Sequence, residues 1–561
     1  MSDYDVTRRN FGKLSALAAA TVIFSPMGRA AAVTRDPELM SNFPEGIKLT
    51  QAVFSNWDNT IVTGKMWTAV PGSEDDVLAL ANWAAASGVN LRPFGYQHSW
   101  SPVATVGRPH PRTVLVDVRE LAGVTATTDS TVTAWCGTRM DDLLERIHGV
   151  GRTLLSVPAP GDITVVGAVA VNGHGTGLST VDEPHTDGRT LSTMSNLITQ
   201  LRFLEWDHDT GTYRATTVNR DDPRCAALLT CLGSCFIISV TLQTTPDVNV
   251  HCINRTDIDI DDILAAPEDA GENSLTSLLE VNGRVGFIWY CFTRTPWVQI
   301  WRRADQRPAG ARWVTGPYNY PFADTLPDVA ANTLEKIVSG QDRLAPAFGS
   351  FMLSATKAGL TATGARNMWG PNKCFVHFVR PTTLKVAASS IGAVVPRSEL
   401  QRVAHDFSAV YTSLLDTYRG QRKYPINGVV ELRVSEVDDP AHSVVAGAVA
   451  SSLSGASRVP GSPEKDTVIW LDVLTLPGTP HADEFYAELE ETLRSRIGGY
   501  ATLRGEWAKR WAHTPAGPWT NSSLSDLYVD SLPDARDAVA ELRGNDPKGV
   551  FASPFVTTLF A

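Results

Sequence analysis

The spacing of hydrophobic residues in the first half of the chain switches repeatedly between a helical period and a strand period. Residues 73–88 carry apolar positions with a helical period, and Ser73 at their start is a typical N-cap followed by an acidic first turn. Residues 125–137 alternate and predict a hairpin, and residues 140–149 predict an amphipathic helix. Short apolar runs predict strands at residues 68–70, 90–93, 113–118, 201–206 and 236–241.

The second half mixes strands and helices without an internal repeat. Pro246 is the predicted boundary between the halves, and a helix is predicted just before it, near residues 222–232. Residues 451–463 are rich in Pro, Gly and Ser and predict a surface loop. Strands are predicted at residues 285–290, 298–301, 374–379, 429–434 and 468–474. This mixture is typical of an α+β protein with two large domains or three smaller ones.

The composition is that of a globular protein with ample material for a core. The 561 residues are 43% hydrophobic and 19% charged, which excludes a disordered or collagen-like chain. The formal net charge of -11 argues against nucleic acid as a partner, because binding phosphates needs clustered lysine and arginine. The seven cysteines are too few for a disulfide framework and lack zinc-site spacing, so we expect small buried side chains and no metal site.

The N-terminus has the sequence of an export signal. Residues 7–13 (TRRNFGK) match a twin-arginine motif, an apolar run follows at residues 14–24, and residues 30–32 (AAA) form a small-residue cleavage site. We therefore expect a signal peptide at residues 1–32, the twin-arginine export machinery as a partner, and a secreted, periplasmic or cell-surface protein. A disordered basic tail is the alternative. No later apolar run reaches about 18 residues, so no stable membrane insertion is expected.

Two glycine-containing segments have the composition of ligand-binding loops. The first is residues 92–99 (RPFGYQHS), directly after a predicted strand, and the second is residues 161–177. Glycine permits positive φ and close contact, and successive exposed N–H groups form a cradle that fits the pyrophosphate of a dinucleotide. Gly173, Gly175 and Gly177 are spaced as G-x-G-x-G and not as the Rossmann fingerprint, which disfavours an NAD-dependent dehydrogenase. Ordinary turns are the alternative for both segments.

The order of these segments resembles the FAD domain of the vanillyl-alcohol-oxidase family, over about residues 67–242. The motif R-x-x-G-x-x-H-S at residues 92–99 is similar to the family's flavin-attachment loop, residues 161–177 to its second FAD loop, and residues 232–242 to its closing strand. The resemblance implies that His98 carries FAD through the 8α-methyl group, and a single link is implied because residues 157–163 contain no cysteine. The implied cofactor-binding residues are Arg92, Pro93, Phe94, Gly95, Tyr96, Gln97, His98, Ser99, Pro160, Gly161, Asp162, Val165, Gly167, Ala168, Asn172, Gly173, Gly175, Gly177 and Ile238.

Two charged residues interrupt a predicted strand in the second half. Strand period places Glu431 and Arg433 on one face of residues 429–434 and the apolar side chains on the other. Charges in an apolar strand are unfavourable unless they pair or face a cavity, so they predict either a structural ion pair or a site with perturbed pKa values. Asp472 lies among the apolar residues 468–474 and is either hydrogen-bonded core or part of that site.

The second half is similar to one branch of the same family, the bacterial sterol oxidases with covalent FAD (type II cholesterol oxidases). In that branch an acid and an arginine matching Glu431 and Arg433 lie at the active site and help to gate a channel to it. A second acid is expected near residue 286, where this chain has Gly286, and the motif containing Lys509 also occurs in sugar-oxidising relatives. The similar segments are residues 284–290, 380–383, 431–433, 474–480 and 506–509.

The resemblance implies an FAD-dependent oxidase of a sterol 3-hydroxyl, such as that of cholesterol, with dioxygen as acceptor and hydrogen peroxide as product. Glu431, with Asp472 as a second candidate, is expected to take the hydroxyl proton, while Arg433 stabilises negative charge and Lys509 lies at the same site. The ring double bond is expected to move from Δ5 to Δ4, giving cholest-4-en-3-one. The alternatives are a flavin oxidase or dehydrogenase of another bulky alcohol or sugar lactone, and an exported, non-catalytic lipid-binding protein.

The implied fold is α+β, with a two-lobed PCMH-type FAD-binding domain and a mixed α/β substrate-binding domain that has a large antiparallel sheet. The predicted boundaries are residues 33–247 for the first domain, 248–500 for the second, and 501–561 for a C-terminal segment that returns to the FAD domain. The implied substrate is an apolar alcohol, which we expect to be drawn from membranes. The other eleven histidines, His174 included, are expected to be structural.

Overall fold

The computed structural model describes residues 40–185, 189–316, 328–377 and 383–561. The predicted signal peptide and residues 380–382 of one family-like segment lie outside these ranges. The described chain forms a four-stranded, a five-stranded and a nine-stranded sheet, with one additional two-stranded pair. No helix within the described ranges is long and apolar enough to cross a membrane.

The first sheet belongs to residues 48–117. Its strands are β1 (Lys48–Ser55), β2 (Val62–Val70), β3 (Asn90–Phe94) and β4 (Thr113–Asp117), in the order β1-β2-β4-β3 with β4 parallel to both neighbours. Helix α1 (Glu74–Ser87) joins β2 to β3. The Ser73 side chain caps this helix by accepting a hydrogen bond from the N–H of Asp76, and Gly88 ends it with φ 61°. The predicted helix and its flanking strands are confirmed.

The second sheet lies between residues 124 and 243. Its strands are β5 (Val124–Thr127), β6 (Thr131–Trp135), β8 (Ile198–Asp207), β9 (Thr212–Asn219) and β10 (Ile237–Gln243), in the order β5-β6-β10-β8-β9 with all neighbours antiparallel. Two short strands outside this sheet, β7 (Arg152–Thr153) and β11 (Thr245–Pro246), pair with each other. The helices are α2 (Met140–His148), α3 (Val165–Ala170) and α4 (Cys225–Leu228). The sequence analysis missed β9, and the helix predicted near residues 222–232 is limited to α4.

The third sheet forms the centre of the second half. Its strands are β12 (Asn249–Arg255), β13 (Arg284–Tyr290), β14 (Trp297–Arg303), β15 (Arg312–Trp313), β16 (Asn367–Pro371), β17 (Ala387–Val395), β18 (Val429–Glu436), β19 (Thr467–Thr475) and β20 (Thr502–Gly505). Their order is β15-β16-β12-β14-β13-β18-β19-β17-β20, and only β15 and β16 are parallel among these described strands. The predicted large antiparallel sheet is confirmed. Glu431 is opposite Ile288 on β13 and Asp472 on β19, so these three side chains share one face.

Helices cover the other face of this sheet. Trp289 points to that face, and its ring centroid lies 5.4 Å from that of Tyr411 in the helix Leu400–Gly420. The ring centroid of Tyr411 in turn lies 6.0 Å from that of Phe485 in the helix Ala482–Ile497. The helices of the second half are α5 (Ile260–Ile263), α6 (Leu275–Asn282), α7 (Asp328–Val338), α8 (Ala345–Ala362), α9 (Lys373–Val376), α10 (Leu400–Gly420), α11 (Ala482–Ile497), α12 (Ser522–Asp530), α13 (Ala535–Asn545) and α14 (Pro554–Leu559).

Two local predictions are wrong. Residues 374–376 of the strand predicted at residues 374–379 instead belong to the helical turn α9, because so short an apolar run fits a buried helical turn as well as a strand, and residues 378–379 lie outside the described ranges. The loop at residues 451–463 is not a surface loop throughout, since Leu453 and Ser454 are fully buried. The Ser454 hydroxyl donates to Oδ2 of Asp438 at 2.6 Å, and this bond offsets the burial of a polar loop.

The cysteines and the C-terminal residues both belong to the interior. All seven cysteines are buried and none forms a disulfide, as predicted. Near the C-terminus, the Val550 carbonyl accepts a hydrogen bond from the N–H of Leu91 on β3 at 2.7 Å. The amide side chain of Asn90 donates to the carbonyl of Ala552 at 2.9 Å. The last residues of the chain are therefore attached to its first sheet.

Candidate active site

The two glycine-containing loops lie against each other. The first follows β3, and the second surrounds α3. A Cβ atom on Gly95 would lie 2.4 Å from Cγ2 of Thr164, so only glycine lets the first loop approach the start of α3 this closely. A Cβ atom on Gly175 would lie 2.7 Å from the carbonyl oxygen of Val157, so the end of the second loop is equally confined. The glycines serve close approach between segments.

Main-chain N–H groups in both loops have no acceptor within the part of the chain that the structure describes. This applies to residues 96–99 and to residues 161–164, of which the second set is buried. Buried N–H groups without an acceptor are rare in folded proteins, so these groups indicate that a ligand supplies the acceptor. A diphosphate presents several acceptor oxygens, and both loops therefore fit the pyrophosphate of FAD.

Each loop contains a non-glycine residue with left-handed backbone geometry. Gln97 has φ 62° in the first loop, and Asn172 has φ 60° in the second. The buried side chain of Asn172 donates to Oγ1 of Thr193 at 2.9 Å, which helps to hold this conformation. Such residues concentrate at ligand sites, where the surrounding structure compensates for the strain.

Arg92 and Ile238 support the loops from within the core. The buried guanidinium of Arg92 donates to the main-chain carbonyls of Ala104 at 2.8 Å, Gly233 at 3.0 Å and Phe551 at 2.6 Å. Burial lowers the pKa of Arg92 to about 10. Ile238 is fully buried in the core on β10. Both side chains are thus part of the scaffold that holds the loops.

The other predicted cofactor residues occupy or adjoin the same loops. Tyr96 lies near two guanidinium groups, 5.8 Å from that of Arg119 and 5.7 Å from that of Arg139. Oγ of Ser99 lies 3.0 Å from Oγ of Ser101. Phe94, Val165 and Ala168 pack in the core, and the Gly167 N–H donates to Oγ1 of Thr164 within the cap of α3. The remaining residues, Pro93, Pro160, Gly161, Gly173 and Gly177, supply backbone at or beside the loops.

His98 contacts the second loop directly. Its Nε2 atom lies 3.0 Å from Oδ1 of Asp162, and about a tenth of each side chain is exposed. One face of the imidazole stacks on Trp57, with ring centroids 4.1 Å apart and an interplanar angle of 21°. His98 and Asp162 were each predicted from the sequence, but neither this contact nor the role of Trp57 was.

A cavity lies between the second loop and the nine-stranded sheet. Much of the wall is apolar and includes Phe287, Ile288, Trp301 and Phe375. Glu431 is the one carboxylate among the described residues that line the cavity. The wall suits an apolar molecule with a single reacting polar group.

Arg433 is held by two carboxylates beside the cavity. Its Nε donates to Oδ2 of Asp472 at 2.7 Å, and its Nη2 donates to Oε2 of Glu506 at 2.9 Å. Asp472 is completely buried and lies behind Arg433, not among the residues that line the cavity. Glu506 directly follows β20, and the sequence analysis did not assign it a role although it begins the family-like segment 506–509.

The pKa values of this cluster follow from burial and charge. Burial raises the pKa of Glu431, and the negative charge of Asp472 raises it further. Burial disfavours the charged form of Arg433, but Asp472 and Glu506 outweigh it and raise its pKa. Burial likewise opposes ionisation of Glu506, yet Arg433 and then Lys509 bring the pKa of Glu506 well below its usual range. Glu431 is thus the carboxyl in this cluster suited to exchange a proton.

His174 also lines the cavity, although the sequence analysis took it for a structural residue. Its ring stacks on Trp470 with centroids 4.3 Å apart, and its Nε2 lies 3.5 Å from Oε1 of Glu506. Its Nδ1 is 2.9 Å from the carbonyl oxygen of Gly175, so Nδ1 carries the proton in that contact. The signal in the sequence was its position between Gly173 and Gly175, where a side chain follows the backbone of the second loop into the cavity.

Lys509 and Gly286 lie at the edges of this arrangement. The Lys509 ammonium is 3.9 Å from the ring centroid of Trp100, close enough to Glu506 for its charge to lower the pKa of that group. Gly286 lines the cavity, and a Cβ atom there would lie 3.4 Å from the ring of Trp301. The site therefore combines a proton acceptor, a fixed cation and an apolar wall with two loops that fit FAD.

Two family models match the chain. Residues 67–183 match an FAD binding domain, and residues 249–561 match the model described as cholesterol oxidase, substrate-binding. The first match contains both loops, and the second contains the sheet that carries Glu431 and Arg433. No curated protein sequence matches the chain.

Solved structures of cholesterol oxidases are similar over nearly the whole chain. A solvent-stable cholesterol oxidase is 36% identical, with 93% of this chain and 99% of that chain covered and a TM-score of 0.88. A histidine-to-alanine variant of cholesterol oxidase from Brevibacterium sterolicum is 34% identical over 93% and 99%, with a TM-score of 0.89. A chitooligosaccharide oxidase, 10% identical with a TM-score of 0.53 over 87% and 91%, shares the fold alone.

Proposed function

This chain belongs to the cholesterol oxidase family, and from that premise we propose that it oxidises the 3-hydroxyl of a sterol at an FAD attached to His98. Dioxygen accepts the electrons, and hydrogen peroxide is released. The observation that carries the proposal is the position of Glu431, a carboxyl with a raised pKa at the wall of an apolar cavity. The second loop, which fits a dinucleotide, borders the same cavity as Glu431, so a hydroxyl held at Glu431 would lie beside the cofactor.

The residues of this chain have three tasks in the reaction. Glu431 accepts the hydroxyl proton, for which its carboxyl must be ionised. Hydrogen bonds to Asp472 and Glu506 fix the position of the Arg433 guanidinium. Its positive charge stabilises the negative charge that develops on the substrate as the proton leaves. The apolar wall binds the fused rings and excludes water, at roughly 25 cal/mol per Å² of apolar surface buried. Bound FAD supplies the acceptor for the hydride from the carbinol carbon.

The same carboxylate also suits the shift of the ring double bond. Moving a double bond from Δ5 to Δ4 requires one proton to leave C4 and one to enter at C6. Glu431 is the one carboxylate among the described residues of the cavity wall, and Gly286 contributes no acid. Once the hydroxyl proton has passed from Glu431 to solvent, the carboxylate takes the C4 proton and delivers a proton to C6. We assign this transfer to Glu431, so that cholesterol leaves as cholest-4-en-3-one.

An anaerobic substrate screen tests the proposed function. Cholesterol is expected to bleach the flavin absorbance in a single turnover, whereas aldonolactones and polyols should leave that absorbance unchanged. Peroxide release in air and the ultraviolet absorbance of a conjugated enone then report the two products. Bleaching by a lactone but not by cholesterol would make the chain an oxidase of another alcohol, and no bleaching by any alcohol would favour a lipid carrier.

Export through the twin-arginine pathway is a separate proposal. It is supported by the motif at residues 7–13 and by the cleavage site at residues 30–32. Replacing Arg8 and Arg9 together by lysine is expected to keep the enzyme and its flavin in the cytoplasm of the producing cell. Recovery of the doubly substituted protein outside the cytoplasm, at the level of the unchanged protein, would contradict this route.

A further inference from the structure

Two histidines and a glutamate meet beside the segment that follows the second loop. His185 lies in that segment, Glu436 is the last residue of β18, and His442 ends the short helical turn Pro440–His442. One nitrogen atom of each histidine and one carboxylate oxygen of the glutamate all lie within 4.8 Å of one another. Both histidines were expected from the sequence to be structural, because tertiary packing and not sequence spacing brings them together.

The contact between His185 and Glu436 calls for a positive charge. Nδ1 of His185 lies 3.4 Å from the carbonyl oxygen of Arg189, and a carbonyl oxygen only accepts, so Nδ1 carries a proton in that contact. In the neutral ring Nε2 then has the lone pair, and this atom lies 3.1 Å from Oε1 of Glu436. Two acceptors this close repel each other without a cation. The cation is either a second proton on the imidazole or a metal ion.

His442 favours the metal ion over the proton. Its ring stacks on His185 with centroids 3.9 Å apart, and its Nδ1 is buried without a hydrogen-bond partner among the described residues. A proton on His185 would satisfy Glu436 but leave that nitrogen unsatisfied, whereas a metal ion bound by all three side chains offers it a bond. Tetrahedral ligand atoms at about 2.1 Å from a zinc ion lie roughly 3.4 Å from one another. The 3.1 Å contact therefore has nearly the spacing of two zinc ligands.

We propose that His185, Glu436 and His442 bind one Zn²⁺ ion, with water as the fourth ligand on the exposed side of His185. Two imidazoles and one carboxylate are a ligand set typical of zinc, whereas Mg²⁺ and Ca²⁺ prefer oxygen ligands. None of the three residues lines the cavity, so the site does not depend on the proposed function. The nearby Asp439 is not counted as a ligand, because its carboxylate pairs with Arg458.

The surrounding hydrogen bonds already orient two of the ligands. Oε1 of Glu436 accepts from the main-chain N–H of Ser179 at 2.7 Å, and Oε2 accepts from that of Leu191 at 3.1 Å. The carbonyl of His442 accepts from Nε2 of Gln243, at the end of β10, at 2.9 Å. Such outer contacts hold zinc ligands in place. A zinc ion here joins the segment after the second loop to the end of β18 and stabilises the junction between the two halves of the chain.

Zinc binding to the complete flavoprotein tests the site. The protein is dialysed against a chelator and then against chelator-free buffer, and zinc chloride is titrated in by isothermal titration calorimetry. His185→Ala and His442→Ala each remove one ligand. His208→Ala is the matched control, because His208 is an exposed histidine in the turn between β8 and β9. Thermal unfolding of each metal-free protein shows that it is folded, and its repetition with zinc measures stabilisation.

The unchanged protein and His208→Ala are each expected to bind one zinc ion per chain and to unfold at a higher temperature with zinc. Magnesium chloride should have neither effect. Each ligand substitution should weaken zinc binding by more than roughly 100-fold, because losing residues that only support zinc ligands costs about 10- to 100-fold. A ligand variant that binds zinc as tightly as the unchanged protein would overturn the proposal. Absence of zinc binding to the unchanged protein would also overturn it and leave His185 and Glu436 as an ion pair.

Anomalous diffraction at the zinc absorption edge locates the ion without any variant. Crystals of the flavoprotein are soaked in zinc chloride. A peak in contact with His185, Glu436 and His442 supports the site, and peaks only at other positions overturn it.

Discussion

Nε of Arg433 on β18 donates to Oδ2 of Asp472 on β19 at 2.7 Å, and the aspartate is completely buried. The pair crosses two neighbouring strands and fixes a guanidinium at the wall of the cavity. Removing one charge of a buried pair leaves the other charge without compensation, which is far more destabilising than losing a surface pair.

Asp472→Asn is therefore expected to lower the free energy of unfolding by about 3 kcal/mol, at the lower end of the range because Glu506 still contacts Arg433. Urea denaturation followed by tryptophan fluorescence measures this change. Asp530→Asn breaks the exposed pair with Arg536 and should change the same quantity by less than about 1 kcal/mol. Equal changes in the free energy of unfolding for the two substitutions would show that the buried pair stabilises the protein no more than the exposed pair does.

Glu431→Gln is expected to slow flavin reduction by roughly 10²–10⁴-fold, because the amide cannot accept the hydroxyl proton. Anaerobic stopped-flow absorbance with cholesterol measures the rate without the oxygen step. The flavin spectrum and the unfolding temperature should match those of the unchanged enzyme. An unchanged reduction rate would remove Glu431 from the chemistry.

The pH dependence of flavin reduction should have its acidic midpoint above 4.5, the ordinary pKa of a glutamate. Burial and then the charge of Asp472 raise the pKa of Glu431, so this group gains its proton at a higher pH than a solvated carboxyl. Since the ionised form is the base, the rate falls as the pH decreases through that raised pKa. Glu431→Gln should remove this limb from the profile, and a midpoint at or below 4.5 would contradict the assignment.

His98→Ala is expected to release all flavin into the supernatant after acid precipitation while still binding FAD without a covalent bond. The midpoint potential of its flavin should be more negative, because an imidazole at the 8α position withdraws electron density from the ring. Spectroelectrochemistry of both proteins measures the difference. Flavin retained in the acid pellet of this variant would place the attachment elsewhere.

Gly286 is expected to control the room available for the sterol. Gly286→Ala places a Cβ atom 3.4 Å from the Trp301 ring, an ordinary contact, and should leave KM for cholesterol within about twofold of its original value. The longer side chain of Gly286→Leu must extend into the cavity. It should raise KM by roughly 10-fold or more, because the sterol would lose contact area equal to about one buried side chain. Unfolding temperatures of both variants separate a binding defect from a folding defect.

The sequence predicts elements well where several local signals coincide. At α1 the cap at Ser73, the apolar stripe and the stop at Gly88 agree, and the helix has the predicted ends. Strand β9 lacks such agreement, since Tyr213 and Val218 are the fully buried residues in an otherwise polar run. Period alone also placed Glu431 and Arg433 on one face, because strand geometry determines that relationship locally.

The partners of these charges could not be predicted in the same way. Glu506 lies 73 positions after Arg433, and the contact exists because β20 and β18 belong to one sheet with β17 and β19 between them. His174 reaches the cavity because the second loop lies against β13 and β18, with Oγ1 of Thr176 donating to the carbonyl of Val434. Such contacts depend on tertiary packing, which local periodicity does not encode.

The bonds from Arg92 to the carbonyls of Gly233 and Phe551 have a consequence for biosynthesis. The loop that carries His98 is held from within the core only once residue 551 has docked, and that residue lies 459 positions after Arg92. We therefore expect stable flavin binding only after the chain has been synthesised and folded as far as residue 551. A stop codon placed just before residue 551 should yield a colourless protein, even though every residue of both glycine-containing loops has been made.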